Sequence, residues 1–125
     1  MKHLFPILFI FCGLSVWAQS PRETFALANQ AYEQGQYQQS VELYQTLIDG
    51  GYESAPLYYN LGNAYYRMGN MEEAVKAYEA AKDSMSRTKY AAKLFHNMGN
   101  AYLAQKNWQG AVDAFKNSLR HNPSD

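Results

Sequence analysis

Cysteine is almost absent from this chain, and the place of the one cysteine excludes several kinds of chemistry. Cys12 lies within the first 18 residues, which we predict to be removed as a leader. The remaining chain has no thiol. We therefore expect no disulfide, no thiolate nucleophile and no zinc–cysteine site.

An excess of charge is also missing, because 11 Lys and Arg residues balance 11 Asp and Glu residues. A chain without a basic excess lacks the electrostatic pattern typical of nucleic-acid binding. There is no glycine-rich phosphate loop, nucleophile elbow or paired-carboxylate motif. After residue 18 the histidines are His96 and His121, with no acidic ligand cluster between them. We predict a non-enzymatic protein without cofactor, metal ion, nucleic acid or small-molecule substrate.

The amino-terminal residues have the pattern of a secretory signal peptide. The apolar run Leu4–Val16 is too short to span a bilayer comfortably. Small residues at Val16 and Ala18 favour cleavage between Ala18 and Gln19, so residues 1–18 are the predicted signal peptide. The alternative is an uncleaved membrane anchor. Bulky residues before Cys12 argue against a lipid anchor.

The chain is rich in internal repetition. The run Tyr58–Asn70 recurs with changes at Phe95–Asn107, and a fainter copy begins at Ala28. The equivalent positions Ala28, Gly62 and Gly99 are 34 and 37 residues apart. Each copy is followed by a second amphipathic segment. Helix–turn–helix units of about 34 residues are typical of helical solenoids.

Capping and breaking residues divide the chain into six predicted helices. Ser20, Ser54 and Asn70 are expected N-caps. We predict helices over about residues 21–34, 38–49, 54–69, 71 to beyond the usual turn, 88–105 and 108–120, with the fifth starting near Thr88. Lys106 stands where a glycine is expected, so that turn should be strained or looser. The predicted fold class is all-α: a short right-handed α-solenoid of three repeats, at residues 19–53, 55–88 and 92–125.

Small residues at regular positions predict how the helices pack. Leu61, Gly62 and Tyr65 share one helix face. Because Gly62 has no side chain, we expect the partner helix to approach it at Ala74, with Tyr78 continuing the partner's face.

These residues resemble the tetratricopeptide repeat family over residues 21–123. The second repeat carries the motif at Leu61, Gly62, Tyr65, Ala74, Tyr78 and Ala81, and the third at Met98, Gly99, Tyr102, Ala111, Phe115 and Pro123. The first repeat departs from it at Ala28, Ser40 and Leu47. The resemblance implies that the chain binds peptides in a concave groove lined by the first helix of each repeat.

Within that family the chain is similar to the small repeat proteins of bacterial aerotolerance (Bat) operons. The similarity depends on the leader, the run Leu57–Asn70, the long junction Ala81–Ala92 and the segment Leu94–Asp125. It implies an exported scaffold, in the periplasm or on the periplasmic face of the membrane. It also implies membrane-anchored von Willebrand A-type partners and a role in oxidative-stress tolerance.

One side of the first helices provides the candidate peptide-binding residues. They are Phe25, Asn29, Tyr32, Tyr59, Asn63, Tyr66, Arg67, Lys93, His96, Asn100 and Leu103. An asparagine amide both donates and accepts, so these asparagines could bond the backbone of a ligand. The alternative is that they form hydrogen bonds between repeats. Tyr59 and Tyr66 are either partner anchors or ordinary exposed tyrosines.

Some family members bind the terminal carboxylate of a peptide with a set of residues called a clamp. The resemblance allows the residues of this chain to be compared with that set. Asn29, Asn60 and Lys93 fall in matching places. Phe25 and Asn97 occupy the positions where basic residues are needed, so we expect no carboxylate clamp.

The last predicted helix suggests a second function from a different class. Its Val112, Phe115 and Leu119 form an apolar face that no later repeat in this sequence would cover. The chain would then be a structural assembly element, which forms a homodimer through this helix or caps a larger solenoid.

Overall fold

The computed structural model of the protein describes residues 19–122, which form six α-helices and no strand. Their bounds are α1 (Pro21–Glu33), α2 (Tyr37–Asp49), α3 (Ala55–Arg67), α4 (Met71–Met85), α5 (Ala91–Ala104) and α6 (Trp108–His121). The predicted all-α class is confirmed. The predicted signal peptide and Pro123 lie outside the described residues. Within residues 19–122, no helix combines the length and apolar character that crossing a bilayer needs.

Three of the helices, α1, α3 and α4, begin at the predicted caps. The Oγ atoms of Ser20 and Ser54 each accept a hydrogen bond from the backbone N–H three residues later, at 3.2 and 3.3 Å. Oδ1 of Asn70 does the same at 3.4 Å. Each cap satisfies one of the N–H groups that have no partner inside a helix.

The turns within repeats need a left-handed residue, and glycine supplies it in the first two repeats. Gly35 and Gly69 have φ values of 75° and 79°. In the third repeat Lys106 takes this place with φ 58°. A residue with a Cβ is less stable in this conformation than glycine, which agrees with the strained turn that the sequence predicts.

The fifth helix begins later than predicted, at Ala91 rather than near Thr88. The Thr88 hydroxyl donates to the Met85 carbonyl at 2.8 Å and accepts from the Tyr90 N–H at 3.2 Å. A threonine that bonds the nearby backbone stabilises a turn in competition with a helix. The turn at residues 86–90 is as long as the one at 50–54, so the additional residues of the longer repeat lie in the helices: α4 is two residues longer than α2, and α5 is one residue longer than α3.

The second and third helix pairs are each held by an aromatic ring that lies against a glycine. A Cβ atom on Gly62 would lie 2.6 Å from the Tyr78 ring, and one on Gly99 would lie 2.5 Å from the Phe115 ring. The sequence predicts the closest approach to Gly62 at Ala74, but the atoms against this glycine belong to Tyr78. Ala74 is fully buried on the same helix.

The first repeat keeps the same packing with different residues. Ala28 and Ser40 are both fully buried. The Ser40 hydroxyl donates to the Ala28 carbonyl at 2.9 Å, so the polar group that replaces the usual alanine has a partner.

The hydrophobic core forms two clusters, one at each junction between repeats. Val41 and Leu47 of α2 pack with Leu57 and Leu61 of α3. The second cluster joins α4 and α5, where the buried residues include Met85, Leu94, Phe95 and Met98. The first helices therefore keep their remaining side available for a surface groove.

We predict that Gly62→Leu destabilises the protein by about 1–3 kcal/mol, because the new side chain would overlap the Tyr78 ring. The matched control is Ala80→Leu, on the exposed side of α4. Urea unfolding measures both free energies. Equal stability of the two variants would contradict the packing described here.

Candidate functional site

The first helices of the three repeats line a groove with a volume of about 550 Å³. Its walls consist mainly of tyrosine and asparagine side chains, with three charged residues. The lining residues are Asn29, Tyr32, Glu33, Tyr44, Tyr59, Asn60, Asn63, Tyr66, Arg67, Tyr78, Lys93, Asn97 and Asn100.

Most of the predicted site residues lie together in this groove, and three do not. Phe25 packs its ring 5.9 Å from that of Tyr44, measured between centroids. His96 lies 5.8 Å from the Phe115 ring by the same measure. Leu103 is exposed and is absent from the lining. Phe25 and His96 instead cover the aromatic rings of the second helices, because the helix rotation turns them toward α2 and α6.

Sequence reasoning missed several lining residues, and two of them come from second helices. Tyr44 and Tyr78 reach through from α2 and α4 into the groove. Each lies 15 residues after a groove asparagine, and this constant offset is the signal that could have identified them. Glu33, Asn60 and Asn97 also line the groove without having been predicted as part of it.

Asn63 is the centre of a hydrogen-bond rung that links the second and third repeats. Its Oδ1 accepts from the Tyr78 hydroxyl at 2.6 Å and from Nδ2 of Asn97 at 3.1 Å. Asn97 also donates to the Tyr59 hydroxyl at 3.1 Å. The rung ties a buried aromatic residue, the groove floor and the next repeat together.

Asn29 is the centre of an equivalent rung that links the first and second repeats. Its Oδ1 accepts from the Tyr44 hydroxyl and, at 3.1 Å, from Nδ2 of Asn60. The hydrogen bonds between repeats that the sequence left as an alternative are therefore present.

The two rungs leave the donor ends of their central asparagines available. Oδ1 of Asn29 and Oδ1 of Asn63 each accept two bonds, while their NH₂ groups meet no acceptor among residues 19–122. Both side chains line the groove. The Oδ1 atoms of the two asparagines thus bond within the fold, while their NH₂ groups are available to donate to a ligand in the groove.

The third repeat has no complete rung. Phe115 stands where Tyr44 and Tyr78 stand in the first two repeats, and it has no hydroxyl. The Asn100 side chain makes no hydrogen bond within the described residues, although it lines the groove.

Burial affects the acidity of the two groove phenols that come from the second helices. It raises the pKa of Tyr44 to about 12 and also raises the pKa of Tyr78 above its ordinary value. The charged lining residues are Arg67, Lys93 and Glu33. The Arg67 guanidinium lies 5.2 Å from the centre of the Tyr37 ring, which holds it at the groove edge. The site is mostly neutral and rich in donors, with one cation in excess.

Residues 19–122 contain no cluster of His, Cys, Asp and Glu side chains that could bind a metal ion. The side chains that line the groove offer hydrogen bonding, aromatic contact and charge attraction.

Comparison with known proteins gives two matches to repeat models. Residues 53–123 match a model described as tetratricopeptide repeat, and residues 28–69 match one described as TPR repeat. No curated protein has a sequence that matches the chain.

The solved structures with similar folds include the following two. The first is the crystal structure of MamA, with a TM-score of 0.71 and 25% sequence identity over 83% of this chain. The chain spans 59% of the length of that MamA chain. The second is the first TPR of Spaghetti (RPAP3) bound to the HSP90 peptide SRMEEVD, with a TM-score of 0.72 and 20% identity over 90% of this chain and 87% of that one.

We predict that Asn63→Ala lowers the free energy of unfolding by about 1–3 kcal/mol, because the Tyr78 hydroxyl and the Asn97 amide lose their acceptor. Asn100→Ala is the matched control, since that side chain has no hydrogen bond within residues 19–122. Urea unfolding distinguishes them, and an equal loss in both variants would show that the rung does not stabilise the fold.

We also predict a loss of stability at alkaline pH. The pKa of Tyr44 is about 12 in the folded protein and about 10 in an unfolded chain. Its contribution is therefore complete below about pH 10 and is lost as the pH rises toward about 12. Tyr44→Phe should flatten the slope of unfolding free energy against pH in this window, whereas Tyr52→Phe, on an exposed side chain, should leave it unchanged. The same slope in both variants would contradict the prediction.

Proposed function

Because the chain belongs to the tetratricopeptide repeat family, we propose that it is a non-enzymatic adaptor that holds a segment of a partner protein in the groove between α1, α3 and α5. The observation that carries this proposal is the row of asparagine donors along the groove floor. Asn29 and Asn63 already have their oxygen atoms bonded within the fold, so their N–H groups are oriented before a ligand arrives.

The row of donors suits the backbone of an extended peptide. Peptide carbonyl groups are acceptors, and every peptide presents them at regular intervals. Donors that come from successive repeats can bond such carbonyls without reading side chains. Since the donors are held by the fold, little side-chain freedom is lost on binding, which favours affinity.

The groove tyrosines and cations add preference for certain side chains. Tyr32, Tyr59 and Tyr66 are half-buried in the lining, and such aromatic residues often act as anchors in interfaces. Arg67 and Lys93 favour segments that carry acidic residues. The RPAP3 relative, described as bound to an HSP90 peptide, indicates that a solenoid of this size can hold a short peptide.

A terminal-carboxylate clamp is not part of the proposal. Asn97 stands where a second basic residue would be needed, and both of its amide hydrogens are donated within the fold, to Tyr59 and Asn63. Phe25 stands at another basic position and packs against the Tyr44 ring, without lining the groove itself. The proposed ligand is therefore not one held by a two-cation clamp on its terminal carboxylate.

The proposal includes export to the bacterial envelope. The apolar run Leu4–Val16 and the small residues around Ala18 support a periplasmic location, free or at the membrane face. Membrane-anchored von Willebrand A-type proteins of an aerotolerance complex are the partners that the resemblance suggests.

A second candidate function is assembly through the outer face of α6. Of the residues that the sequence assigns to this face, Val112 and Leu119 are 46% and 56% exposed, whereas Phe115 packs against Gly99 inside the helix pair, which corrects that part of the prediction. Trp108, 61% exposed, adds to the face, and this exposure is high for large apolar side chains on one helix. Self-association through this face is one form of this function, and light scattering at increasing protein concentration tests it.

We predict that a photo-crosslinking amino acid placed at Tyr66 captures partner protein in living cells. The same group at Tyr52, which is 56% exposed and outside the groove, is the matched control. Crosslinks at position 66 should disappear when Asn63→Ala is added, provided that circular dichroism shows the variant folded. Identical crosslinks at both positions, or none at position 66, would rule out the groove as the binding site.

A further inference from the structure

The three charged side chains that line the groove occupy defined places in the repeat register. The step of 34 residues maps Glu33 of α1 onto Arg67 of α3, so these two residues hold the same place in neighbouring repeats. The step of 37 residues maps Lys93 of α5 onto Pro56 of α3. Because Arg67 lies 11 residues after Pro56, Arg67 and Lys93 lie toward opposite ends of the parallel first helices.

This register gives approximate distances between the charges. The first helices of successive repeats are neighbours, because an asparagine on each donates to an asparagine on the one before it, at 3.1 Å. The axes of neighbouring helices lie about 10 Å apart, which is the approximate separation of Glu33 and Arg67. Eleven residues of α-helix rise by about 16 Å, so Arg67 and Lys93 are about 19 Å apart along a diagonal of the groove.

None of the three groove charges has an ion partner in the part of the chain that the structure describes. The ion pairs among residues 19–122 all involve Lys76 or Lys82, and both of these lysines belong to α4. Glu33, Arg67 and Lys93 are exposed and line the groove. Their charges are therefore available to a ligand, and each exposed ion pair would add modestly to affinity.

Aromatic rings hold Arg67 in place before a ligand arrives. Its guanidinium lies 5.2 Å from the centre of the Tyr37 ring, and the Tyr32 ring meets the Tyr37 ring edge-on at 5.3 Å. A guanidinium that lies over a ring face keeps its N–H donors, because the contact uses the face of the group and not its edge. Arg67 can therefore bond both oxygens of a carboxylate.

We propose that the groove selects an extended segment by the order and spacing of its charges. An extended chain advances about 3.3 Å per residue, so 10 Å corresponds to about three residues and 19 Å to about five or six. The selected segment has a basic residue for Glu33, an acidic residue three positions away for Arg67, and a second acidic residue five or six positions further for Lys93. This inference rests on the proposed function, because it names the class of ligand that the same groove binds.

A segment that is only acidic does not match this order. Glu33 repels a carboxylate at the first place, and the third repeat has the uncharged Ala104 at the equivalent place. At the place of Lys93 the earlier repeats have Pro56 and Arg22, and neither of them lines the groove. Because each charge has no second copy of its own sign in an equivalent lining position, a shifted segment loses its ion pairs.

The test selects binders of the purified full-length protein from random peptides of about 12 residues displayed on phage, a length that spans all three charges in extended form. After correction for library composition, acidic pairs five or six positions apart should be about threefold or more enriched over acidic pairs two positions apart. A basic residue should recur three positions outside the pair. A selected set without this spacing would overturn the inference.

Charge exchange in one selected peptide identifies which residue reads which charge. Lys93→Glu should weaken binding by about threefold or more in fluorescence anisotropy, and a lysine in place of the second acidic residue of the peptide should restore it. Arg67→Glu should behave in the same way with the first acidic residue. Lys116→Glu makes the same change of net charge outside the groove and should leave binding unchanged.

A second measurement separates failure of this inference from failure of the proposed function. A photo-crosslinking group at position 66 of the purified protein should capture the selected peptides, whereas the same group at position 52 should not. Capture at position 66 of peptides that lack the charge order, or that the exchanges do not affect, would overturn the inference and leave the adaptor function intact. If no peptide is enriched, or if capture is equal at both positions, both proposals fail.

Discussion

The contact between an aromatic ring and a glycine backbone is the constraint on which the other features of this protein depend. Tyr78 lies against Gly62 and Phe115 against Gly99, so close that a single added carbon would overlap the ring. Such contact is available only where one helix has no side chain. It holds the second and third helix pairs at a short distance and sets the rotation of the first helix in each. That rotation determines which residues face the next repeat and which face the groove.

The same tyrosine connects the interior with the binding surface. The Tyr78 ring fills the space over Gly62, and its hydroxyl reaches Oδ1 of Asn63 at the groove floor. In the second repeat one residue therefore determines both the packing of the helix pair and a hydrogen bond at the groove floor. In the third repeat Phe115 fills the same space over Gly99 but has no hydroxyl. The Asn100 side chain therefore lacks the hydrogen bond that Asn63 receives from Tyr78. The missing tyrosine hydroxyl is one of the two donors that bond the central asparagine in each of the first two repeats.

The groove and the outer face of α6 offer different chemistry to partners. The groove combines neutral donors with Arg67 and Lys93, which suits carbonyl and carboxylate oxygens on an extended segment. The outer face of α6 is apolar and exposed.

The sequence by itself determined the number of helices, most of their ends and the repeat register, because caps, glycines and apolar spacing act over a few neighbouring residues. It also placed Asn63, Tyr66 and Arg67 on the groove side. It did not determine the late start of α5, where the Thr88 hydroxyl stabilises a turn instead of a helix. Only the tertiary structure decided that Phe25 and His96 leave the groove and that Tyr44 and Tyr78 reach it from the second helices. Side chains near the edge of a helix face turn toward whichever neighbour is closest, and the position of that neighbour follows from packing across the pair rather than from local spacing.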